Sequence, residues 1–150
     1  MFSIFVSSIE AQTQSRLATI GVDATLVEVA RLLSGKHIGL VIVCGTDGSM
    51  AGVISKTDVV SNFGRNCEST TPTMAADVMI QDVTSCRPAT SLGDVLSLME
   101  KQRFVHIPVV DENCVPSGVV NVGDLLEVLV ARGKIDAEHL QNYISGVSYR

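Results

Sequence analysis

An internal repeat constrains the fold of this chain more than any local feature does. Residues 22–60 align without a gap to the residues 66 positions later, and apolar positions match apolar positions. The clearest match joins two heptapeptides, GVISKTD at 52–58 and GVVNVGD at 118–124, which both open with glycine and end in aspartate. A repeat of this length indicates one structural unit used twice. Because a unit of roughly 60 residues buries little core by itself, we expect the two halves to pack together.

The predicted order of elements is the same in both halves. Hydrophobic periodicity and turn residues predict strands at 17–20, 38–44 and 50–55, then at 83–86, 104–110 and 117–121. Helices are predicted at 25–34, from 57, from Ser91 and from Val122. These patterns predict an α/β (α+β) fold with two β-α-β-β-α repeats, packed sheet to sheet with pseudo-two-fold symmetry.

The boundaries between these units follow from composition. Residues 1–66 hold an N-terminal segment with a short helix and the first repeat, and residues 67–73 form a polar, turn-rich linker. The second repeat spans 74–132 and begins with a short helix at 74–79. A C-terminal helix and tail are expected at 133–150.

Composition and charge exclude several classes of protein. The chain is 46% hydrophobic and 18% charged, which is typical of a packed globule. A formal net charge of −5 without a Lys/Arg cluster makes nucleic-acid binding unexpected. No apolar run reaches the roughly 18 residues of a membrane span. The four cysteines lack CxxC spacing, so a reducing compartment and a cytoplasmic protein are expected. The three histidines lack metal-ligand spacing, and neither HExxH nor GxxxxGK[ST] is present, so an enzyme is disfavoured.

The repeated heptapeptide has two chemical interpretations. A strand that runs into a helix presents unpaired N–H groups, which favour phosphate, and the Ser55 hydroxyl adds a rotatable donor. Asp58 and Asp124 suit a ribose, because two adjacent hydroxyls can donate to one carboxylate. Gly52 and Gly118 allow a ligand or another backbone to approach closely. The same spacing is also an ordinary helix cap, and the residues alone leave both interpretations open.

The chain resembles a tandem pair of CBS domains over residues 17–132. The resemblance rests on the motif at 52–58, its variant at 118–124, Asp-Val-Met at 77–79, Ser91-Leu92 and His-Ile-Pro-Val-Val-Asp at 106–111. It implies a regulatory module that binds adenosine-containing ligands in clefts between the repeats. It further implies that Asp58 and Asp124 hold ribose and that Ser55 lies near ribose or phosphate. The remaining contacts that it implies are in the adenine pockets: Thr19, Ile20, Val22, Met79, Thr84 and Cys86.

The second motif and the phosphate-facing positions depart from the family pattern. Asn121 stands where Ser or Thr is usual, Lys56-Thr57 replaces Glu-Arg, and Val105 replaces a basic residue before His106. Two arginine positions that face phosphate are thus lost. We expect Lys56, Arg103, His106 or Arg65 to compensate. His106 has the alternative role of a hydrogen-bonded structural residue.

Two functions therefore stay open. The first is a sensor that requires no cofactor and takes AMP, ADP, ATP, NAD(H) or S-adenosylmethionine as effector. The second is a structural or interaction module with vestigial pockets. Either would form a homodimer and act on a protein partner that the sequence does not identify.

Overall fold

The computed structural model describes residues 4–66, 68 and 71–133, and it confirms a fold of two α+β repeats. A 3₁₀ turn at Val6–Ile9 and helix α1 (Glu10–Ser15) precede the first repeat. The elements of that repeat are β1 (Thr19–Gly21), α2 (Leu26–Leu33), β2 (Leu40–Cys44), β3 (Met50–Ser55) and α3 (Lys56–Asn66). Its sheet has the order β1-β2-β3, with β1 parallel and β3 antiparallel to β2.

The second repeat follows the same order with one strand missing. Helix α4 (Ala75–Val78) precedes this repeat, as α1 precedes the first, and the elements of the repeat are α5 (Leu92–Gln102), β4 (His106–Val110), β5 (Pro116–Asn121) and α6 (Val122–Ala131). The strands β4 and β5 pair antiparallel, in the same register as β2 and β3. The C-terminal helix predicted within 133–150 lies almost entirely outside the described residues.

The predicted strand at 83–86 is wrong, and a proline explains why. In the first repeat, the Ile42 N–H donates to the Ala18 carbonyl at 2.9 Å and holds β1 to β2. The residue 66 positions after Ile42 is Pro108, which has no N–H to donate. The ladder is therefore reduced to an isolated parallel bridge between Cys86 and Val109.

Each repeat is completed by the segment that precedes the other repeat. The N-terminal segment crosses to the second repeat, where the Val6 N–H donates to Thr90 O at 2.9 Å. Val6 and Ile9 are buried in the core of that repeat. In the same way, the segment 73–80 crosses to the first repeat, where the Leu26 N–H donates to Thr73 O at 2.8 Å.

The two glycines that open the heptapeptides lie under these crossing segments. A Cβ on Gly52 would lie 2.8 Å from Ile80 O, and a Cβ on Gly118 would lie 2.7 Å from Thr13 Oγ1. Both distances are too short for a side chain, so glycine is required for the close approach of another segment. The same glycine thus serves the same packing purpose in both repeats.

The two sheets meet through a shared apolar cluster. Leu40, Ile42 and Val53 from the first sheet pack with Val119 from the second. Each repeat also has its own core beneath its helices. At the start of α2, Thr25 and Glu28 form the reciprocal capping box that their spacing indicates. Among the described residues, no helix is long and apolar enough to cross a membrane.

Candidate functional site: a cleft between the repeats

A cavity of about 140 Å³ lies where the two repeats meet. Its volume is below the roughly 300 Å³ of the smallest common ligand pockets, so it would enclose only part of a ligand of ordinary size. Its walls are mostly apolar, and five polar side chains converge on it. The lining residues are Leu40, Val53, Ser55, Asp58, Ile80, Asp82, Val83, Thr84, Phe104, His106 and Pro108.

The first heptapeptide supplies Ser55 and Asp58 to this cavity. The Ser55 N–H and hydroxyl both donate to Asp58 Oδ2 at 2.9 Å, and the Asp58 N–H faces Ser55 Oγ at 3.3 Å. This is the local geometry of a helix cap. Both side chains nevertheless line the cavity, and a carboxylate can accept about four hydrogen bonds. The helix cap and a ligand contact are therefore compatible at this position.

His106 enters the same cavity from the second repeat as a neutral imidazole. Asn121 Oδ1 accepts hydrogen bonds from the N–H groups of Gly123 at 2.8 Å and Asp124 at 3.3 Å. The Asn121 amide nitrogen is thereby turned toward His106 Nε2, at 3.1 Å, and donates to it. A proton on Nε2 would oppose this bond. Burial, and secondarily the Arg16 charge, lowers the pKa of His106 to about 4.

The aspartate of the second heptapeptide is ion-paired with Arg16. Arg16 Nε lies 2.5 Å from Asp124 Oδ2, and Arg16 Nη2 lies 3.0 Å from Asp124 Oδ1. Arg16 Nη1 also donates to the His37 carbonyl at 3.3 Å. No pattern in the sequence directly indicates this pair, because the gap-free alignment begins at residue 22. Extending it would have aligned Arg16 with Asp82, an opposite charge.

The structure brings together four of the residues that the resemblance named. Ser55, Asp58, Thr84 and His106 line the cavity. Asn121 and Asp124 lie at the start of α6, and the exposed Lys56 begins α3. The other named residues are placed as follows: Thr19 and Ile20 on β1, Val22 directly after it, Met79 over Gly52, and Cys86 in the core of the second repeat.

Two features of the cleft were not named from the sequence. Asp82 adds a second carboxylate, and Phe104 adds an aromatic wall.

Burial raises the pKa of the Cys86 thiol to about 12, so that thiol stays protonated near neutral pH. Within 4–66, 68 and 71–133, no group of three His, Cys, Asp or Glu side chains could hold a metal ion.

Comparison with known families gives a match to both repeats. The family model described as the CBS domain matches residues 6–65 and 75–131. Each matched stretch contains one heptapeptide and nearly all or all of the helix that begins within it.

Relatives of the chain differ greatly in length. The CBS domain-containing protein YhcV of Bacillus subtilis is 27% identical over 121 residues, which cover 80% of this chain and 84% of YhcV. The Meiotically up-regulated gene 70 protein of Schizosaccharomyces pombe is 25% identical over 114 residues, and the chain spans 16% of its length. Similar sequence thus forms most of one protein and a small part of another.

Solved structures share the fold. The cytosolic domain of the Mg²⁺ channel MgtE in complex with ATP is 28% identical, with a TM-score of 0.64 over 76% of this chain and 45% of that chain. CBSX2 in complex with AMP is 19% identical, with a TM-score of 0.73 over 87% of this chain and 98% of that chain. At the latter identity the similarity concerns the fold alone.

Proposed function

Because the chain belongs to the CBS domain family, we propose that it is a non-catalytic regulatory module whose cleft binds an adenosine-containing ligand. The candidates are AMP, ADP, ATP, NAD(H) and S-adenosylmethionine. One observation carries the proposal: a single cavity joins Ser55 and Asp58 of the first repeat with Thr84 and His106 of the second. A ligand held by both repeats would favour one arrangement of the two, which is how a binding module transmits a signal.

The chemistry of the cavity suits a nucleoside. Its apolar walls fit a base, Asp58 accepts from ribose hydroxyls, and the Thr84 hydroxyl can donate or accept. Phosphates would extend from the mouth toward Lys56, the exposed first residue of α3. The ATP complex of the related MgtE domain supports the ligand class.

A structural or interaction module is the second candidate function. The ion pair between Arg16 and Asp124 favours it, because it uses internally the carboxylate that the family pattern reserves for ribose. Under this proposal the first cavity would also stay empty, and partner binding would not depend on nucleotide.

We also propose a cytoplasmic homodimer. Three exposed apolar side chains, Val27 on α2 with Val60 and Phe63 on α3, support a partner surface on the first repeat. The free thiols of Cys44, Cys86 and Cys114 support a reducing compartment. Light scattering of Phe63→Glu would test the dimer: the variant should be a monomer, and a monomeric wild type would contradict the proposal.

Ligand binding is tested by isothermal titration calorimetry and thermal shift with AMP, ATP, NADH and S-adenosylmethionine. A ligand at 100 times its Kd stabilises the fold by about 2.7 kcal/mol. Asp58→Asn should weaken binding at least about tenfold, because a hydrogen bond to a charged group contributes about 1.5–3 kcal/mol.

The matched control is Asp94→Asn. Asp94 is an exposed carboxylate in the first turn of α5 and does not line the cavity. It should alter the stability of its helix but not ligand affinity. Equal affinity of wild type and Asp58→Asn, or no binding of any of the four ligands, would reject the proposal.

A further inference from the structure

We propose that Arg16 is an internal counter-ion that closes the second cleft, so that each chain binds one adenosyl ligand, in the first cleft. The number of bound ligands rests on the proposed function. The closure of the second cleft rests on the geometry of Arg16 and Asp124. It would replace the prediction that both aspartates hold ribose with ribose binding by Asp58 alone.

Arg16 occupies the place in the second repeat that Asp82 occupies in the first. Thr13 lies over Gly118, and Met79 lies over Gly52 in the same way. Because Thr13 and Met79 are 66 positions apart, the repeat register extends into the crossing segments. Three residues further along, this register aligns Arg16 with Asp82.

The equivalent positions have opposite effects on their clefts. Asp82 lines the first cavity together with Asp58, and two carboxylates cannot form an ion pair. Arg16 instead reaches Asp124 with two nitrogens, one to each carboxylate oxygen, at 2.5 and 3.0 Å. A ribose would have to share both of those oxygens with the charged guanidinium, whereas the two hydrogen bonds from Ser55 go to a single oxygen of Asp58, Oδ2.

The pair is held in place by its surroundings. The side chains of Arg16 and Asp124 are only 19% and 17% exposed, so water screens their attraction less than at an open surface. Arg16 also donates to the His37 carbonyl, and bidentate arginine–carboxylate pairs are among the stronger hydrogen-bonded contacts in proteins. A neutral hydroxyl pair would have to compete with this charged donor for the carboxylate.

The second polar side chain of that motif is also used internally. Asn121 accepts from two backbone N–H groups through Oδ1 and donates to His106 through its amide nitrogen. The corresponding Ser55 hydroxyl donates to Asp58 Oδ2, but it can rotate to another partner. Both polar side chains of the second motif, Asn121 and Asp124, therefore have hydrogen-bond partners within the protein. The presence of Asn in place of Ser does not by itself indicate these contacts.

The test counts bound ligands in variants of Arg16. Calorimetric titrations with AMP and with S-adenosylmethionine, a phosphate-free probe, are compared for wild type, Arg16→Ala and Arg16→Gln. Arg16→Gln retains an uncharged amide donor and carries the test if Arg16→Ala does not fold. Arg87→Ala is the matched control, because Arg87 is exposed in the turn before α5 and lies outside the cleft. Circular dichroism confirms folding of each variant.

The inference predicts one ligand per chain for wild type and Arg87→Ala, and two for Arg16→Gln. Adding Asp58→Asn to Arg16→Gln should weaken binding at the original site at least about tenfold and leave the affinity of the new site unchanged, and Asp124→Asn should then weaken the new site. Two ligands in wild type, or one in every Arg16 variant, would overturn the inference while the proposed function stands. No ligand in wild type but one in Arg16→Gln would support the closure and reject binding in the first cleft. No binding by any variant would reject both.

Discussion

The environment of His106 predicts a loss of stability on mild acidification. Its pKa falls from 6.5 to about 4 in the folded protein, so the unfolded chain binds the proton more readily than the folded protein does. The stability that depends on the neutral ring is complete above pH 6.5 and is lost as the pH falls toward 4. The full difference corresponds to about 3 kcal/mol, of which about 2 kcal/mol should be lost between pH 7 and pH 5.

Urea denaturation at pH 7 and pH 5 measures this loss. His106→Gln removes the titrating ring and keeps an oxygen that can accept from Asn121, so its stability should fall by about 2 kcal/mol less than that of wild type over this range. The control is His37→Asn, since His37 is exposed at a φ of 70°, a conformation that asparagine tolerates. Carboxylates titrate in all three proteins and cancel in the comparison. An equal loss in wild type and His106→Gln would show that the His106 ring does not cause the loss.

Further predictions concern the packing of the cleft and its charge. A Cβ on Gly39 would lie 2.7 Å from His106 Nε2, so Gly39→Ala should lower the free energy of unfolding by about 1–3 kcal/mol. The control Gly64→Ala, in α3 with open space around it, should raise it by about 0.5–1 kcal/mol; destabilisation by both substitutions would contradict the account of Gly39. Asp82→Asn removes from the cavity wall a negative charge that would repel phosphate. It should therefore improve the affinity for ATP about fivefold more than that for adenosine. Parallel calorimetric titrations measure that ratio, and an equal effect on both ligands would place the phosphates away from Asp82.

Local sequence patterns predicted the elements whose structure depends on residues only a few positions apart in the chain. The alternation and turn around residues 50–55 predicted β3 with its observed bounds, and Thr25 with Glu28 predicted the cap of α2. The prediction of a strand at 83–86 was wrong because its partner strand lacks one N–H donor. The residue without the donor is Pro108, which lies in β4. Propensity within 83–86 contains no information about its partner.

The contacts that complete the site depend on pairs far apart in the chain. Arg16 and Asp124 are separated by 108 positions, and neither residue has a neighbour that indicates the other. The sequence likewise contains no pattern that indicates the crossing of the N-terminal segment to the second repeat, because a short helix can cover either sheet. The repeated glycines indicated that something approaches closely, but not that it is Thr13 in one repeat and the 79–80 segment in the other.

The central proposal is tested most directly by locating the ligand on the protein. Backbone amide NMR spectra recorded during titration with AMP, and in parallel with S-adenosylmethionine, report the affected residues in solution. We predict saturable shifts at Ser55, Asp58, Thr84 and His106, which line the first cavity, and no saturable shifts at the exposed Val27 and Phe63. Shifts confined to the exposed surface around Val27, Val60 and Phe63, or none with either ligand, would contradict the proposal.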